Sequence, residues 1–370
     1  MNITADENIP HVVKAFKSLG TVTTKKGRDI TSDDLQQTDI LLVRSVTQVN
    51  KLLLENTPVK FVASATAGFN HVDLDYLQSQ NIGFARAPGS NAISAAEYVI
   101  AGICKWSLLQ KQSLADLQNL SIGIIGYGNV GSRVKHLCDE FGITAVINDP
   151  PLQEQLQQRL EQQESPDQSD ITFSSLDDAL ACDIITLHTP LTMEGEHSTF
   201  QLINKKNIKQ IKSGSLFINA SRGEVVEESP LLARMKNKND LTLILDVWEN
   251  EPRINLEMLK HTLIGTPHIA GYSIDAKIRG TEMIYQAICD FLNEKPQWSS
   301  QDIDFGDDKK FDFEKTKAKD KREAILKAYD IMADDTRLRK MLSDTSLSDG
   351  GYFDSLRKNY PVRREHSGLE

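Results

Sequence analysis

Three polar residues in the second half of the chain have the types needed for acid–base chemistry beside a carboxylate: Arg222, Glu251 and His268. A histidine titrates near neutral pH and can accept a hydroxyl proton, and a carboxylate partner stabilises the charge that it then carries. An arginine offers a planar fork that matches a substrate carboxylate. Each residue alone would be ordinary. Together they indicate an enzyme that oxidises an alcohol next to a carboxylate.

The string GYGNVG at residues 126–131 has the spacing of a dinucleotide-binding loop. An apolar stretch typical of a buried strand precedes it, and a stretch of helical periodicity follows. The first glycine permits a tight turn, the second lets the backbone approach a pyrophosphate, and the third permits close packing of helix on strand. The helix N-terminus favours phosphate. The sequence therefore predicts cofactor contacts at Gly126, Gly128, Asn129, Val130 and Gly131.

An acidic residue follows the next apolar stretch: Asp149 lies 18 residues beyond Gly131. A carboxylate at this point accepts hydrogen bonds from the adenosine ribose hydroxyls and repels a 2′-phosphate. No basic residue follows it immediately, because Pro150 and Pro151 come next. The predicted cofactor is therefore NAD rather than NADP.

Short apolar runs alternate with helix-like stretches from residue 1 to about residue 290. Continuous rather than alternating hydrophobicity suits strands that are buried on both faces of a parallel sheet. This pattern predicts an α/β fold with doubly wound parallel sheets, and active-site residues collect where such strands end. A first domain is expected at 1–93 and a nucleotide-binding domain at 94–267. The predicted strands are Ile40–Val43, Phe61–Ala65, Ile122–Gly126, Ala145–Asn148, Ile184–His188, Ser215–Asn219 and Leu241–Val247.

Composition narrows the class of protein. Hydrophobic residues make up 39% of the chain and charged residues 25%, which indicates a globular protein. A net charge of −10 argues against nucleic acid or an anionic membrane surface as partner. The sequence shows no uninterrupted apolar run of membrane-spanning length and no metal-ligand spacing, and its first residues are not expected to form a signal peptide. The four scattered cysteines are expected to be small buried hydrophobes in a reducing cytoplasm.

Several segments resemble the D-2-hydroxyacid dehydrogenase family: GYGNVG with Asp149, LHTPL (187–191), INASRGEVV (218–226), LDVWENEP (245–252) and TPHIAG (266–271). The resemblance implies that Arg222 binds the substrate carboxylate and that His268, paired with Glu251, accepts the proton. It implies a flavodoxin-like substrate-binding domain, to which residues of about 268–295 return, beside a Rossmann NAD domain. The further cofactor contacts that it implies are Thr189, Asp246 and Gly271.

A finer resemblance, to one branch of this family, rests on DENIP (6–10), VRSVTQVN (43–50), ATAGFNHVD (65–73) and the tail string FDSLRKNYPVRRE (353–365). It implies a phosphorylated hydroxy acid as substrate and a small C-terminal α/β domain, 296–370, that forms a homodimer. Substrate contacts are implied at Ser45, Thr66 and Tyr272. Arg44, beside Ser45, is the expected cation for the phosphate group.

Three alternatives stay open at this point. The substrate could be another 2-hydroxy acid, of the 3-phosphoglycerate or the glyoxylate/hydroxypyruvate type. The chain could instead be a corepressor that senses NAD(H) with the same fold, although the presence of Arg222, Glu251 and His268 speaks against it. Basic tail residues could reach the cleft of a neighbouring subunit; the candidates are Arg357, Lys358, Arg363 and Arg364.

Overall fold

The computed structural model describes residues 1–162, 171–303, 305 and 320–366. The chain divides into two compact units. The first unit contains the described residues of 1–92, 272–310 and 362–365, and the second contains those of 93–271, 311–361 and 366–370. The predicted first boundary, at residue 93, and the predicted return of the chain near residue 268 both lie within a few residues of these divisions.

The first unit is built on a five-stranded parallel sheet with the strand order β2-β1-β3-β4-β5. This is the flavodoxin-like order expected for the substrate-binding domain. The strands are β1 Asn2–Asp6, β2 Thr21–Lys25, β3 Ile40–Val43, β4 Phe61–Ser64 and β5 Gly83–Arg86. The helices are α1 Val12–Phe16, α2 Lys51–Leu54, α3 Leu74–Ser79 and, from the later segment, α11 Ile274–Leu292.

The central strand β3 shows why its apolar run is continuous. Ile40 and Leu42 belong to a core cluster that includes residues of α1 and α11. Leu41 and Val43 belong to a second cluster, which includes residues of α2 and α3. Because successive side chains point to opposite faces, a strand covered on both faces needs an apolar residue at every position.

The second unit contains a six-stranded parallel sheet with the order β11-β10-β9-β8-β6-β7, and Phe173 adds a parallel bridge to Ile147 beyond β7. With that bridge the order is that of a Rossmann fold, as predicted. The strands are β6 Ser121–Ile125, β7 Thr144–Asn148, β8 Ile184–Leu187, β9 Leu216–Asn219, β10 Thr242–Leu245 and β11 Ile264–Gly265.

The remaining α-helices lie in or extend into the second unit. They are α4 Ala92–Leu109, α5 Leu114–Leu117, α6 Asn129–Glu140, α7 Pro150–Glu161, α8 Leu176–Leu180, α9 Glu228–Lys238, α10 Leu256–His261, α12 Lys321–Ala328, α13 Ile331–Leu338, α14 Lys340–Ser343 and α15 Gly351–Lys358. Short 3-10 helices occur at Gly27–Asp29, Ser32–Leu35, Ile208–Gln210, Gly223–Val225, Ser300–Asp302 and Thr345–Asp349.

The C-terminal segment differs from the expectation of a small separate α/β domain. Its described residues 320–366 form helices and contain no strand. Leu338, Met341 and Phe353 belong to the same core cluster as the Rossmann sheet, so this segment packs on its own chain. The parts of the predicted domain at 304, 306–319 and 367–370 lie outside the described residues.

Two expectations about burial can also be compared with the structure. The four cysteines are all free and buried, as expected. Helix α4 is long and apolar enough to span a membrane by length and composition, with a mean hydropathy of 1.3, although 83% of that stretch is buried inside the protein. Glu97 and Lys105 interrupt it, which is why the sequence shows no uninterrupted apolar run. Its burial is that of a core helix.

Candidate active site

The predicted site residues of the second unit lie in the segments that follow its parallel strands. The glycine loop follows β6, Asp149 follows β7, Thr189 follows β8, Arg222 follows β9, Asp246 and Glu251 follow β10, and His268 follows β11. Since all these strands run in the same direction, the residues collect at the carboxyl edge of one sheet. This edge is where a ligand of a doubly wound fold binds.

The three glycines of the loop are required for different reasons. Gly126 has a φ of +91°, and an added Cβ would lie 2.8 Å from the His188 carbonyl carbon and the Thr189 nitrogen. At Gly131 an added Cβ would lie 2.0 Å from the Gly126 carbonyl oxygen, so the helix could not start so close to the strand. Gly128 has no protein atom within 4 Å of such a Cβ, at the N-cap of α6. Of the three loop glycines, Gly128 is the one whose backbone is open to a ligand.

The Asp149 side chain holds the backbone of the glycine loop through a hydrogen bond. One carboxylate oxygen accepts the Tyr127 N–H at 2.7 Å, and the other accepts the Leu152 N–H at 3.0 Å and so caps α7. The side chain is only partly buried. Its predicted contact with the ribose stays a prediction, and the two backbone bonds hold the carboxylate in place for it.

The turn after β8 contains buried polar atoms that the protein itself does not satisfy. The Thr189 hydroxyl and His188 Nδ1 have no hydrogen-bond partner among the described residues. His188 Nε2 lies 2.9 Å from the Thr186 hydroxyl, and burial lowers the pKa of His188 to about 3, so the ring is neutral. Unsatisfied buried polar groups are costly unless a ligand or water completes them. Together with the open backbone at Gly128, these atoms fit a dinucleotide cofactor.

Asp246 organises the segment that carries His268. Its carboxylate is buried and accepts hydrogen bonds from the Thr266 hydroxyl at 2.7 Å, the Ile269 N–H at 2.7 Å and the Ala270 N–H at 2.9 Å. Burial raises the pKa of Asp246, against the effects of nearby His268 and of these donors. Its carbonyl oxygen accepts the His268 N–H at 2.7 Å. Asp246 thus has a clear positioning role, and its contact with the nicotinamide stays a prediction.

Glu251 and His268 form a hydrogen-bonded pair. Nδ1 of His268 lies 2.7 Å from one Glu251 carboxylate oxygen, and the other oxygen accepts the Trp248 N–H at 3.0 Å. Burial alone would raise the pKa of Glu251, but the His268 ring and the Trp248 N–H outweigh it and lower that pKa, so the carboxylate is ionised. A carboxylate accepts from Nδ1–H, which leaves Nε2 with its lone pair. The pair has the arrangement of a general base and its orienting partner.

Arg222 lies beside this pair in the same unit. Its Nη1 donates to the Ser221 carbonyl oxygen at 2.7 Å, and the Asn219 side chain bonds both the Arg222 carbonyl oxygen and Ser221. Burial lowers the pKa of Arg222, and the charge of Glu251 opposes that effect. The guanidinium is therefore a partly buried cation at the carboxyl edge of the sheet, suited to a carboxylate.

Sequence reasoning missed the tail residues that support this edge. Asp335 of α13 accepts the Gly265 N–H at 2.7 Å, one residue before Thr266. Arg339 pairs with Asp335 at 2.7 Å and donates to the Leu259, Thr262 and Leu263 carbonyl oxygens. The charge of Arg357 acts on Glu251 and Arg222 of its own chain. These contacts of the tail lie within one chain.

The predicted substrate contacts of the first unit follow β3 and β4. The Arg44 Nε donates to buried Asp6 at 2.9 Å, and Ser45 beside it is exposed. The Thr66 hydroxyl lies 2.8 Å from the Ser64 hydroxyl. Tyr272, the first residue of the later segment, lies under the Lys277 ammonium group, 4.9 Å from the ring centre. Lys277 was not among the predicted residues.

The fold and the site together define an NAD-dependent oxidoreductase, and comparison with known proteins agrees. Residues 91–270 match the family described as D-isomer specific 2-hydroxyacid dehydrogenase, NAD binding domain. Residues 310–370 match a family described as a domain of unknown function. Solved structures with the same fold include a D-lactate dehydrogenase from Aquifex aeolicus in complex with NAD and lactic acid, with 23% identity, a TM-score of 0.60, and coverage of 79% of this chain and 96% of that one. An NAD-bound 3-phosphoglycerate dehydrogenase from Entamoeba histolytica has 22% identity, a TM-score of 0.62, and coverage of 81% and 98%.

Closer relatives match the whole chain. The erythronate-4-phosphate dehydrogenase of Marinobacter nauticus is 42% identical, over 100% of this chain and 94% of the relative. The protein of the same name from Escherichia coli is 39% identical, over 100% and 93%. The chain belongs to the erythronate-4-phosphate dehydrogenase family, within the D-2-hydroxyacid dehydrogenases. The resemblance that the motifs indicated is thereby confirmed.

Proposed function

We propose that this chain oxidises 4-phospho-D-erythronate at C2 with NAD, giving 2-oxo-3-hydroxy-4-phosphobutanoate, NADH and a proton. The name of its full-length relatives supports this substrate. The observation that carries the chemistry is the 2.7 Å hydrogen bond between Glu251 and His268, next to the Arg222 guanidinium. The name of the relatives also implies that the reaction belongs to the synthesis of pyridoxal 5′-phosphate.

The roles of the chain's own groups follow from this geometry. His268 Nε2 takes the proton of the C2 hydroxyl, and Glu251 stabilises the imidazolium charge. Arg222 binds the substrate carboxylate and thereby fixes the direction of the C2–H bond. Asp246 holds the backbone of residues 268–270 and so orients the His268 ring. These assignments form one general-base site.

NAD, when bound, supplies the acceptor for the C2 hydride. The open backbone at Gly128 and the N-terminus of α6 would hold its pyrophosphate, and Asp149 would accept from its ribose hydroxyls. The Thr189 hydroxyl, which is buried without a partner among the described residues, would donate to the cofactor, and Gly271 follows the segment that Asp246 organises.

Turnover with 4-phospho-D-erythronate, followed by NADH absorbance against a panel of 2-hydroxy acids, tests the substrate. The expected result is the highest kcat/KM for 4-phospho-D-erythronate. Equal or higher kcat/KM for 3-phosphoglycerate or a glyoxylate-type acid would reject it. His268→Ala should abolish turnover and retain NAD binding, since His268 is not among the residues predicted to bind the ribose or the pyrophosphate. A fully active variant would refute the general base.

The assembly state and the compartment are further parts of the proposal. The resemblance supports a homodimer, and the four free buried cysteines support a reducing cytoplasm. Because Leu338, Met341 and Phe353 of the tail complete the core of the second unit, deleting the tail would expose that core. The full-length chain is therefore the right sample. Sedimentation should give about twice the chain mass of 41.4 kDa, and a single species of the monomer mass would contradict the dimer.

A further inference from the structure

Lys277 is a partly buried cation in the first unit with no anionic partner among the described residues. Its ammonium group lies over the Tyr272 ring, 4.9 Å from the ring centre. Burial lowers the pKa of Lys277, and the charge of Arg44 lowers it further. A lysine placed beside another cation and away from water is unfavourable unless an anion joins them.

The fold explains why Lys277 and Arg44 approach each other. Arg44 follows β3, which lies between β1 and β4 in the sheet. One turn after Lys277, α11 contacts the segments that follow both neighbours of β3. The Thr281 hydroxyl donates to the Pro10 carbonyl oxygen at 3.0 Å, and a Cβ at Gly280 would lie 2.8 Å from the Ala65 carbonyl oxygen. The first turn of α11 therefore begins above the end of β3.

Both cations are held in place by other groups. Asp6, which is fully buried, accepts from Arg44 Nε at 2.9 Å and from Nη2 at 3.4 Å, while the described structure gives Nη1 no partner. The first turn of α11 is fixed by the C-terminal segment of the same unit. Asp275 accepts from the Arg364 guanidinium at 2.9 Å, and Glu365 accepts from Arg279 at 2.7 Å. Lys277 thus projects from a rigid turn.

We propose that Lys277 and Arg44 form one anion-binding site in the first unit and that its ligand is the phosphate group of the substrate. The inference rests on the proposed function for the identity of the ligand. Asp6 neutralises one of the two positive charges, so the site keeps a net positive charge to offer a phosphate. Arg44 supplies a directional N–H, and Lys277 supplies a point charge with three donors.

Kinetics of Lys277→Gln test this assignment, with Lys277→Arg as the charge-preserving variant. Lys295→Gln is the matched control, because Lys295 is an exposed lysine that follows the same helix. Loss of one charge-assisted bond to phosphate should raise the KM for 4-phospho-D-erythronate about 10- to 100-fold, with the KM for NAD unchanged. The ratio of kcat/KM for 4-phospho-D-erythronate to that for D-erythronate should fall by a similar factor, and Lys277→Arg should restore much of it.

Titration calorimetry with inorganic phosphate distinguishes a failure of the anion-binding site from a failure of the proposed substrate. If wild-type protein fails to oxidise 4-phospho-D-erythronate but binds phosphate in a Lys277-dependent way, the anion site stands and the proposed substrate fails. If 4-phospho-D-erythronate is oxidised and Lys277→Gln changes neither its KM nor phosphate binding, Lys277 only supports Tyr272. An equal loss for D-erythronate and its phosphate ester would likewise overturn the site.

The variant Arg44→Gln and the double variant complete the test. If both cations bind the same phosphate group, the KM effects of Arg44→Gln and Lys277→Gln should be non-additive. Two fully independent effects would mean that the residues act on different groups of the substrate, which contradicts a shared site.

Discussion

Replacing Glu251 by glutamine should inactivate His268 as a base by stabilising the tautomer that is protonated at Nε2. In the structure one Glu251 oxygen accepts the Trp248 N–H at 3.0 Å and the other faces His268 Nδ1 at 2.7 Å. Glutamine has a single oxygen. If that oxygen keeps the Trp248 N–H, the amide NH₂ points at Nδ1, which must then accept, so the proton resides on Nε2. A ring protonated at Nε2 cannot take the hydroxyl proton of a substrate.

The expected loss follows from the value of a positioned general base. Such a base contributes about 10²- to 10⁴-fold to the rate, which corresponds to about 3–5 kcal/mol of activation free energy. The kcat of Glu251→Gln should fall by this factor, whereas NAD affinity, which does not depend on the pair, should be retained. Because the substitution is nearly isosteric and keeps the Trp248 bond, we expect little change in the thermal midpoint.

The assay should resolve chemistry from product release. A single-turnover measurement of NADH formation reports the hydride step even when release limits the steady state. Glu257→Gln is the matched control, because Glu257 is an exposed carboxylate on α10 whose partner is Lys260. A Glu251→Gln enzyme with the wild-type single-turnover rate would refute the reasoning, since His268 would then not depend on Glu251 for its tautomer.

Three further predictions concern the cofactor loop and the stability of the fold. Gly128→Ala should unfold at the wild-type urea concentration but bind NAD more weakly in a fluorescence titration. Gly131→Ala should lose both stability to urea and NAD affinity, because at Gly131, unlike Gly128, the new Cβ would meet the protein, at 2.0 Å. Burial lowers the pKa of His71 from 6.5 to about 4, so the unfolded chain takes up a proton at a higher pH than the folded protein does. The free energy of unfolding should therefore fall by about 3 kcal/mol as the pH drops from 6.5 to about 4. A His71→Gln protein whose free energy of unfolding falls as steeply with pH would contradict this. Arg279→Met leaves the carboxylate of Glu365, which is 0% exposed, without its cation, and the free energy of unfolding in urea should fall by about 3 kcal/mol. Adding Glu365→Gln should recover part of this stability. A double variant no more stable than the single one would refute the buried-charge explanation.

The sheet strands that sequence reasoning found are those with continuous apolar runs. The predicted strand Ile40–Val43 matches β3 at both ends, and the runs in the second unit match β6 to β10 within two residues at either end. The edge strand β2, TVTTK, was missed because none of its residues is fully buried and threonines fill its pattern. Strand β11 was missed because two residues show no periodicity. Strand β1, NITAD, was missed as well, although four of its five residues are buried, because polar side chains interrupt its apolar run. Hydrophobic pattern therefore identifies strands by the continuity of their apolar residues, and burial alone does not make a strand visible in the sequence.

The tail shows a different limit of sequence reasoning. Two groups of apolar residues recur at helical spacing in the tail, and in each group two members are at most 5% exposed: Ile325 with Tyr329, and Leu338 with Met341. Met332 and Leu342, which belong to the same two patterns, are only partly buried. A second subunit is the obvious partner for such a face, yet Leu338 and Met341 belong to the same core cluster as the Rossmann sheet of their own chain. An amphipathic pattern specifies that a face needs a partner, but the partner's identity depends on tertiary packing that no local pattern encodes.

The catalytic candidates were predictable because each follows a strand, whereas the residues that hold them were not. Asp335 and Arg339 lie about 70 residues beyond the segment that they anchor, and in sequence they look like one more solvated charge pair on a helix. In the structure Asp335 accepts the Gly265 N–H and Arg339 donates to three carbonyl oxygens of residues 259–263. The Asp335 bond satisfies a backbone N–H of the edge strand β11, and the Arg339 bonds tie the segment that leads into this strand to the tail. His268 lies three residues after that strand. The charged tail therefore takes part in positioning the proposed base, and it does so from within the same chain.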